Sequence, residues 1–384
     1  MPPIQLNRRR FLGCSAAAGW ALSQGIAEGA VDPARPVRVG LIGLGNRGTG
    51  LLRACLDDPA TRVVALADLE AKHLARASGI VEKARGDRPD LLDSPDRLLD
   101  RPEVDAVLVA LPCDLHAGVY EATLRAGKHL YAEKPLGLTV AECDRLIVES
   151  SRQSDLAFHV GFQRRSNPRY VDGIAAIHRG DLGTLVSGGA AWVSSNGPML
   201  GHGGWLSLRE RSGDWMVEQA VHVWDVFHWA ARSVPSRACG AGRRDLFRAT
   251  RPERTVTDDY HALLSWDDGF SVSFHQSWIA PAGDGFTGVT QEIIGVEGGL
   301  DFSTGALNFR DRSRPRQSLH PAVQPDTALA VRAFLDAVRA PASGRAAPPV
   351  GLADAREATI TGLMVRRAVD EGRVVARSEV LSPG

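Results

Sequence analysis

The sequence predicts an α/β protein: an N-terminal doubly wound domain, then an α+β domain with a large, mainly antiparallel open sheet. Three observations carry this. Between Val37 and Gly161, short apolar runs alternate with helix-patterned stretches, and unbroken apolar strands separated by helices belong to parallel sheets covered on both faces. The first run ends in Gly43-Leu44-Gly45-Asn46-Arg47-Gly48, a strand-to-helix turn of the kind that opens such a domain. Beyond Gly161 the strand-like stretches alternate polar and apolar residues, as antiparallel strands do when one face is buried.

In chain order, Val37–Ile42 reads as a strand, Thr49–Leu56 as a helix, Arg62–Ala67 as a strand ending at Asp68, and Glu70–Lys83 as a helix. Arg85–Asp96 is polar and is expected to be a loop. Ala106–Leu111, His129–Ala132 and Ala157–Gly161 are strands, and Leu115–Ala126 and Val140–Gln153 the helices between them. The second part offers helices at Pro168–His178 and Met216–Ala231. Its strands fall at Leu185–Ser194, Tyr260–Trp266, Ser271–Gln276, Gln291–Gly295 and Leu300–Ser303. A loop at Arg312–Pro325 and two amphipathic helices, Ala328–Val338 and Leu352–Asp370, close the chain. The expected division is a leader at 1–30, a first domain at 35–161 and a second at 162–384.

A chain of 384 residues supports two cores, and 44% hydrophobic residues fit a globular protein. Basic and acidic residues balance at 45 each, so no charge excess draws nucleic acid or anionic lipid. No later segment is apolar and long enough for stable membrane insertion. Near the start, Asn7-Arg8-Arg9-Arg10-Phe11-Leu12 precedes a modestly apolar run to Leu22. This reads as a twin-arginine signal, an address for export of the folded chain to the periplasm or beyond. Cys14 falls within it. Cys55, Cys113, Cys143 and Cys239 show no CxxC spacing and predict neither a zinc site nor a disulfide framework.

In the glycine turn, Gly43 allows the sharp bend, Gly45 lets the backbone approach a pyrophosphate, and Gly48 lets helix and strand pack closely. The helix N-terminus turns free N–H groups and a partial positive charge toward that anion. Asp68 ends the next strand, where a carboxylate binds a ribose 2′,3′-diol and repels a 2′-phosphate. The cofactor expected in this Rossmann domain is therefore NAD rather than NADP. Asp68 also suits a helix N-cap.

On the helix read at Met216–Ala231, Glu218, His222 and Asp225 fall at i, i+4 and i+7, on one stripe of an otherwise apolar segment. Burying an imidazole between two acids is costly unless they pair or face a wet cavity. The stripe therefore reads either as the lining of a site or as a self-satisfied network. His228 lies off the stripe, and no metal site is expected.

The stretches Ala110-Leu-Pro-Cys-Asp-Leu-His116 and Ala126-Gly-Lys-His-Leu-Tyr-Ala-Glu133-Lys134-Pro135-Leu136 resemble the glucose–fructose oxidoreductase / inositol dehydrogenase (Gfo/Idh/MocA) family. The resemblance runs from about Val37 to Val375. It implies that Lys134 lies beside the nicotinamide and the reacting hydroxyl, and that His222 is the acid/base. Glu218 stands where relatives carry Asp, which makes its role, as a catalytic group or as the orienter of His222, the less certain transfer. The resemblance adds Asn46, Arg47, Leu111, Pro112, His116, Glu133 and Gln163 to the cofactor contacts, and Arg164 and Asp225 to the substrate contacts. Trp192, His202, Trp205 and Trp215 cluster before the His222 helix, and because aromatic faces stack on sugar rings, Trp205 and Trp215 are read as substrate contacts.

The activity implied is that of an exported oxidoreductase with captive NAD(H), acting on a CH–OH group of a sugar, cyclitol or glycoside. The alternative within the family is a redox-neutral glycoside hydrolase working by oxidation, elimination, water addition and reduction. A non-catalytic NAD-dependent sensor is a third. A homo-oligomer is implied, without its subunit number.

Overall fold

A computed structural model describes residues 35–197, 202–283, 285–320 and 325–381. The leader expected at 1–30 lies outside the described residues. The first domain runs β1 (Val37–Ile42), α1 (Asn46–Leu56), β2 (Thr61–Ala67), α2 (Ala71–Arg85), β3 (Asp90–Leu92), α3 (Pro95–Leu99), β4 (Ala106–Val109), α4 (His116–Arg125), β5 (His129–Ala132), α5 (Val140–Arg152) and β6 (Phe158–Val160). Its six strands pair in the order β3-β2-β1-β4-β5-β6, all parallel. The reversal of direction between β1 and β4 is the switch point at which such sheets bind ligands. β3 and α3 occupy the stretch expected to be a loop. A three-residue edge strand and a five-residue helix are too short to leave a periodic signal; Ser94 caps α3, its hydroxyl accepting from the Asp96 N–H.

The second domain contributes α6 (Pro168–His178), β7 (Leu185–Val193), α7 (Arg209–Ser212), α8 (Trp215–Glu218), α9 (Val221–Ala231), β8 (Arg237–Arg243), β9 (Asp259–Ser265), β10 (Ser271–Ser277), β11 (Gly288–Gly295), β12 (Gly298–Asp301), β13 (Ala306–Phe309) and β14 (Gln317–Ser318). Then come α10 (Asp326–Arg339), α11 (Leu352–Glu371), β15 (Val375–Ala376) and α12 (Arg377–Leu381). The nine-stranded sheet is ordered β14-β13-β12-β11-β7-β10-β9-β8-β15. It is antiparallel except at β7/β10, which run parallel. Its covered face meets α9 closely because β7 is small there: a Cβ on Gly188 would come 2.6 Å from the Phe227 ring. The other face is open and carries exposed Leu263 and Ile294.

Two helices read as simply closing the chain do more. α10 crosses back and packs Val331, Phe334, Leu335 and Val338 into the core cluster of Val39, Leu41, Leu51 and Tyr131, covering the first sheet. α11 packs on α8, α9 and β8 and also on α5, tying the two sheets together. Among the described residues no helix is long and apolar enough to cross a membrane. The described cysteines are free thiols.

Candidate active site between the two sheets

The glycine turn follows β1. Gly43 has φ +83°, and a Cβ there would fall 2.2 Å from the Ala110 carbonyl oxygen; a Cβ on Gly48 would fall 1.9 Å from the Gly43 oxygen. Only glycine fits either place. Gly45 has nothing within 4 Å of its Cβ position, which leaves the room a pyrophosphate needs in front of α1. Asn46 is exposed at the first position of that helix. Asp68 accepts from the Leu44 N–H at 2.6 Å and the Glu70 N–H at 2.8 Å, with His73 Nδ1 at 3.2 Å. The carboxylate thus grips the turn and the start of α2 at once. The residues present fit an NAD-type dinucleotide.

Arg47 does not reach outward from the turn. Its Nε donates to Glu133 Oε1 at 2.6 Å and its Nη1 to Thr327 Oγ1 at 2.7 Å. Glu133 is 3% exposed and needs Gly161 beside it, where a Cβ would come 2.9 Å from Oε1. His116 is likewise a brace rather than a surface for the cofactor. It is 1% exposed, with Nδ1 2.8 Å from the Pro135 oxygen and Nε2 2.9 Å from the Leu111 oxygen. Tyr120 donates its hydroxyl to the Glu133 carbonyl at 2.6 Å. Leu111, partly buried, bounds the turn beside Gly43, and Pro112 starts the 3-10 turn Cys113–Leu115. These contacts hold the segment after β5 and so aim Lys134.

The helix expected over Met216–Ala231 is broken. α8 ends at Glu218 and α9 begins at Val221, so Glu218, His222 and Asp225 do not form one stripe. The break frees carbonyls that would have been locked in a continuous helix. Lys134 Nζ donates to the Glu218 carbonyl at 2.6 Å, and Trp224 Nε1 to the Met216 carbonyl at 3.1 Å. Glu218 also turns its carboxylate onto Lys134, Oε1 to Nζ 2.6 Å, with 15% and 14% of the two side chains exposed. Burial is the largest influence on the Lys134 ammonium and works to lower it, but Glu218, with Cys113 and Glu133 adding to it, holds the group above its ordinary value. Lys134 is a fixed cation.

His222 is 6% exposed and its Nδ1 has no hydrogen-bond partner among the described residues. Its ring packs edge-on to Phe162 at 5.7 Å and lies over Trp192 at 6.3 Å. Burial, with added repulsion from Lys134, Arg164 and Arg47, holds the imidazole well below its usual value. It is therefore neutral near pH 7, with a ring nitrogen available as an acceptor. Arg164 is buried; its Nη1 donates to Gln291 Oε1 at 2.9 Å and the guanidinium sits 5.5 Å from both the Trp192 and Tyr170 ring centres. Gln163, on the same 3-10 turn, keeps a buried Oε1 without a partner.

Two expected substrate contacts are corrected. Asp225 is 1% exposed and clamped by Arg165 at 2.7 Å on the side toward Asp354. Burial raises its carboxyl above the usual range even against that guanidinium. It anchors α9 rather than meeting a ligand. Trp215 is 1% exposed and packs on Trp278 with ring centres 4.8 Å apart, so it is core. Trp205 is half-buried against the main core. The sequence reading missed Gln219, which lies in the helix break and accepts a hydrogen bond from Gln276 Nε2, and the buried Gln291. The signal was present: Gln276 and Gln291 occupy inward positions of alternating strands, where the period calls for an apolar residue.

Two family models match the chain. The family described as "Oxidoreductase family, NAD-binding Rossmann fold" matches residues 37–162, and the "GFO/IDH/MocA C-terminal domain" matches residues 174–301. An uncharacterised oxidoreductase of Synechocystis sp. is 31% identical over 268 residues, 67% of this chain and 70% of that one. The chain belongs to the Gfo/Idh/MocA family. An inositol 2-dehydrogenase of Salmonella paratyphi B is 28% identical over 195 residues, covering 50% of this chain and 54% of that protein, so the match spans about half of that relative. A glycosyl hydrolase family 109 protein of Saccharopolyspora erythraea is 31% identical over 212 residues, 49% of this chain and 46% of its own. The solved structure of scyllo-inositol dehydrogenase from Lactobacillus casei, with bound NAD(H) and scyllo-inositol, has the same fold: TM-score 0.73 at 18% identity, covering 90% of this chain and all of that one. The first domain is the family's NAD-binding domain.

Proposed function

We propose that this protein is an exported oxidoreductase that keeps its NAD(H) and oxidises or reduces a CH–OH group of a cyclitol, sugar or glycoside. One observation carries the reading: a buried cation, Lys134, held by Glu218 near enough to the buried, neutral His222 to repel its charged form. His222 takes the hydroxyl proton on an imidazole nitrogen. The Lys134 ammonium stabilises the negative charge growing on that oxygen in a site largely shielded from water. Bound NAD+ supplies the hydride acceptor. Phe162 and Trp192 fix the plane of the imidazole, and the Arg164–Gln291 contact supports the wall behind it. The inositol dehydrogenases among the relatives support a polyol substrate.

A panel of cyclitols and sugars, followed by NADH absorbance, tests the assignment. Lys134→Ala and His222→Ala are expected to lose roughly 100-fold or more in turnover, the usual contribution of a positioned acid–base group; near-normal turnover in either refutes it. Mass spectrometry of nucleotide released on denaturation tests the captive cofactor. Export is proposed from the arginine motif alone, and retention of the chain in the cytoplasm of a twin-arginine-deficient host is the expected result. Self-association through the open sheet face is proposed from its exposed apolar residues and is read by sedimentation.

The redox-neutral hydrolase is the second reading, supported by the family 109 relative. It needs a further carboxylate base. Glu218 is engaged by Lys134 and Asp225 by Arg165, which weighs toward net oxidation or reduction. Solvent deuterium appearing on carbon next to the oxidised position would reverse that preference.

A further inference from the structure

On the open face of the second sheet, the face through which self-association is proposed and which is exposed in the single chain, three side chains converge. Asp259 and His261 stand two apart on β9 and so share a face. His275 lies directly opposite His261 on the antiparallel strand β10. The two imidazoles stack with ring centres 4.2 Å apart and planes inclined by 8°. His275 Nε2 is 3.1 Å from Asp259 Oδ1 and His261 Nε2 is 3.5 Å from Asp259 Oδ2. One donor atom from each residue lies within 4.8 Å of the others. No residue of this set belongs to the catalytic pocket.

We propose that Asp259, His261 and His275 form a binding site for a divalent transition-metal cation of the zinc class. Two imidazole nitrogens and one carboxylate oxygen are the donor set that suits such ions. Zinc takes nitrogen at about 2.0–2.1 Å, which sets tetrahedral donors about 3.3–3.4 Å apart, so donors that lie within 4.8 Å of one another must draw in as the ion binds. The side chains can make that adjustment: His261 is 64% and His275 36% exposed, while Asp259, at 21%, is the fixed point. The strands hold the backbone rigid beneath them. Next to His261 in the sheet stands Ala241, whose methyl leaves space for water to complete the coordination, within a surface depression also lined by Cys239 and Ser273. Arg243, in register with Asp259 on β8, opposes a cation and limits how tightly one is held. The helix residues His222, Asp225 and His228 gave no reason to expect a metal; the new set exists only because β9 and β10 pair in this register.

The test is calorimetric titration of zinc chloride into the purified, chelator-treated chain at neutral pH, with thermal melts by circular dichroism in parallel. One saturable site and a zinc-dependent rise in Tm are expected. His261→Ala and His275→Ala, each removing one of three ligands, are expected to weaken zinc more than about tenfold and to lose the Tm rise, with melting in its absence unchanged for the more exposed His261. Cys239→Ser is expected to bind as the parent does. No zinc uptake by the parent chain overturns the proposal, as does uptake undiminished in both histidine variants.

Discussion

Replacing Glu218 probes the feature that most distinguishes this site, the carboxylate clamp on Lys134. The pair is 2.6 Å apart with about 85% of each side chain buried. Breaking a buried pair by deleting one partner costs about 3–5 kcal/mol, and the lower figure applies here because both side chains retain some contact with solvent. At about 2.1 cal/mol/K of unfolding entropy per residue, a chain of this size shifts by roughly 1–1.5 °C per kcal/mol, so Glu218→Ala is expected to lower Tm by about 3–5 °C. Glu218→Gln keeps an acceptor for Lys134 Nζ and removes only the charge, so its loss is smaller. Its informative effect is on the amine. Burial is the largest cause acting on Lys134, and it works downward; Glu218 is the main group that reverses the direction, with Cys113 and Glu133 adding to it. Without the charge, Lys134 loses its proton at lower pH. The sign follows: a raised lysine contributes its stability in full below the ordinary value and loses it as pH rises through the elevated one. Labelling of Lys134 by trinitrobenzenesulfonate, read by peptide mass spectrometry between about pH 7 and 10, reports the free amine without needing a substrate. The Glu218→Gln curve is expected to move to lower pH, with labelling near pH 8 at least about tenfold faster, which corresponds to about 1.4 kcal/mol. Glu218→Asp is expected to stay near the parent. Coincident curves for the parent and Glu218→Gln would refute the claim that this carboxylate sets the charge on Lys134.

Two further outcomes follow from the same structure. Gly48→Ala places a methyl 1.9 Å from the Gly43 oxygen, so α1 must shift from β1; loss of NAD binding by fluorescence titration, together with a lower Tm, is expected. Burial holds His159 down to about 4 and His228 down to about 3. Both stay neutral in the folded chain while the unfolded chain protonates. Stability is therefore lost as pH falls below about 6.5 toward 4, at about 1.4 kcal/mol per pH unit for each histidine. His159→Leu, set against the Phe334 ring, is expected to flatten the dependence of unfolding free energy on pH by about one such increment between pH 4 and 6.5; an unchanged slope refutes the assignment.

The order of strands and helices in the first domain is written in local pattern. Unbroken apolar runs, glycines that only a tight turn requires and the Glu133-Lys134-Pro135 segment are each contained within a few residues, so they survive without any knowledge of packing. The same holds for the alternating strands of the second sheet, though its short edge strands and β8 left too little signal.

What packing decided is of a different kind. Periodicity assumes that a helix continues, and so it joined Glu218, His222 and Asp225 into one stripe. The chain breaks there because Lys134, 84 residues away, takes the freed Glu218 carbonyl, and Trp224 takes that of Met216. Asp225 went to Arg165, 60 residues distant, and Trp215 to a ring stack with Trp278. α10 left its own domain because the apolar face of the first sheet needed a cover that its own helices did not supply. The sequence by itself determined which groups the protein possesses and the turns that present them. Which acid neutralises which base, and which histidine is left without a partner, only the tertiary structure decided, because those pairings depend on distances between segments that the linear pattern does not encode.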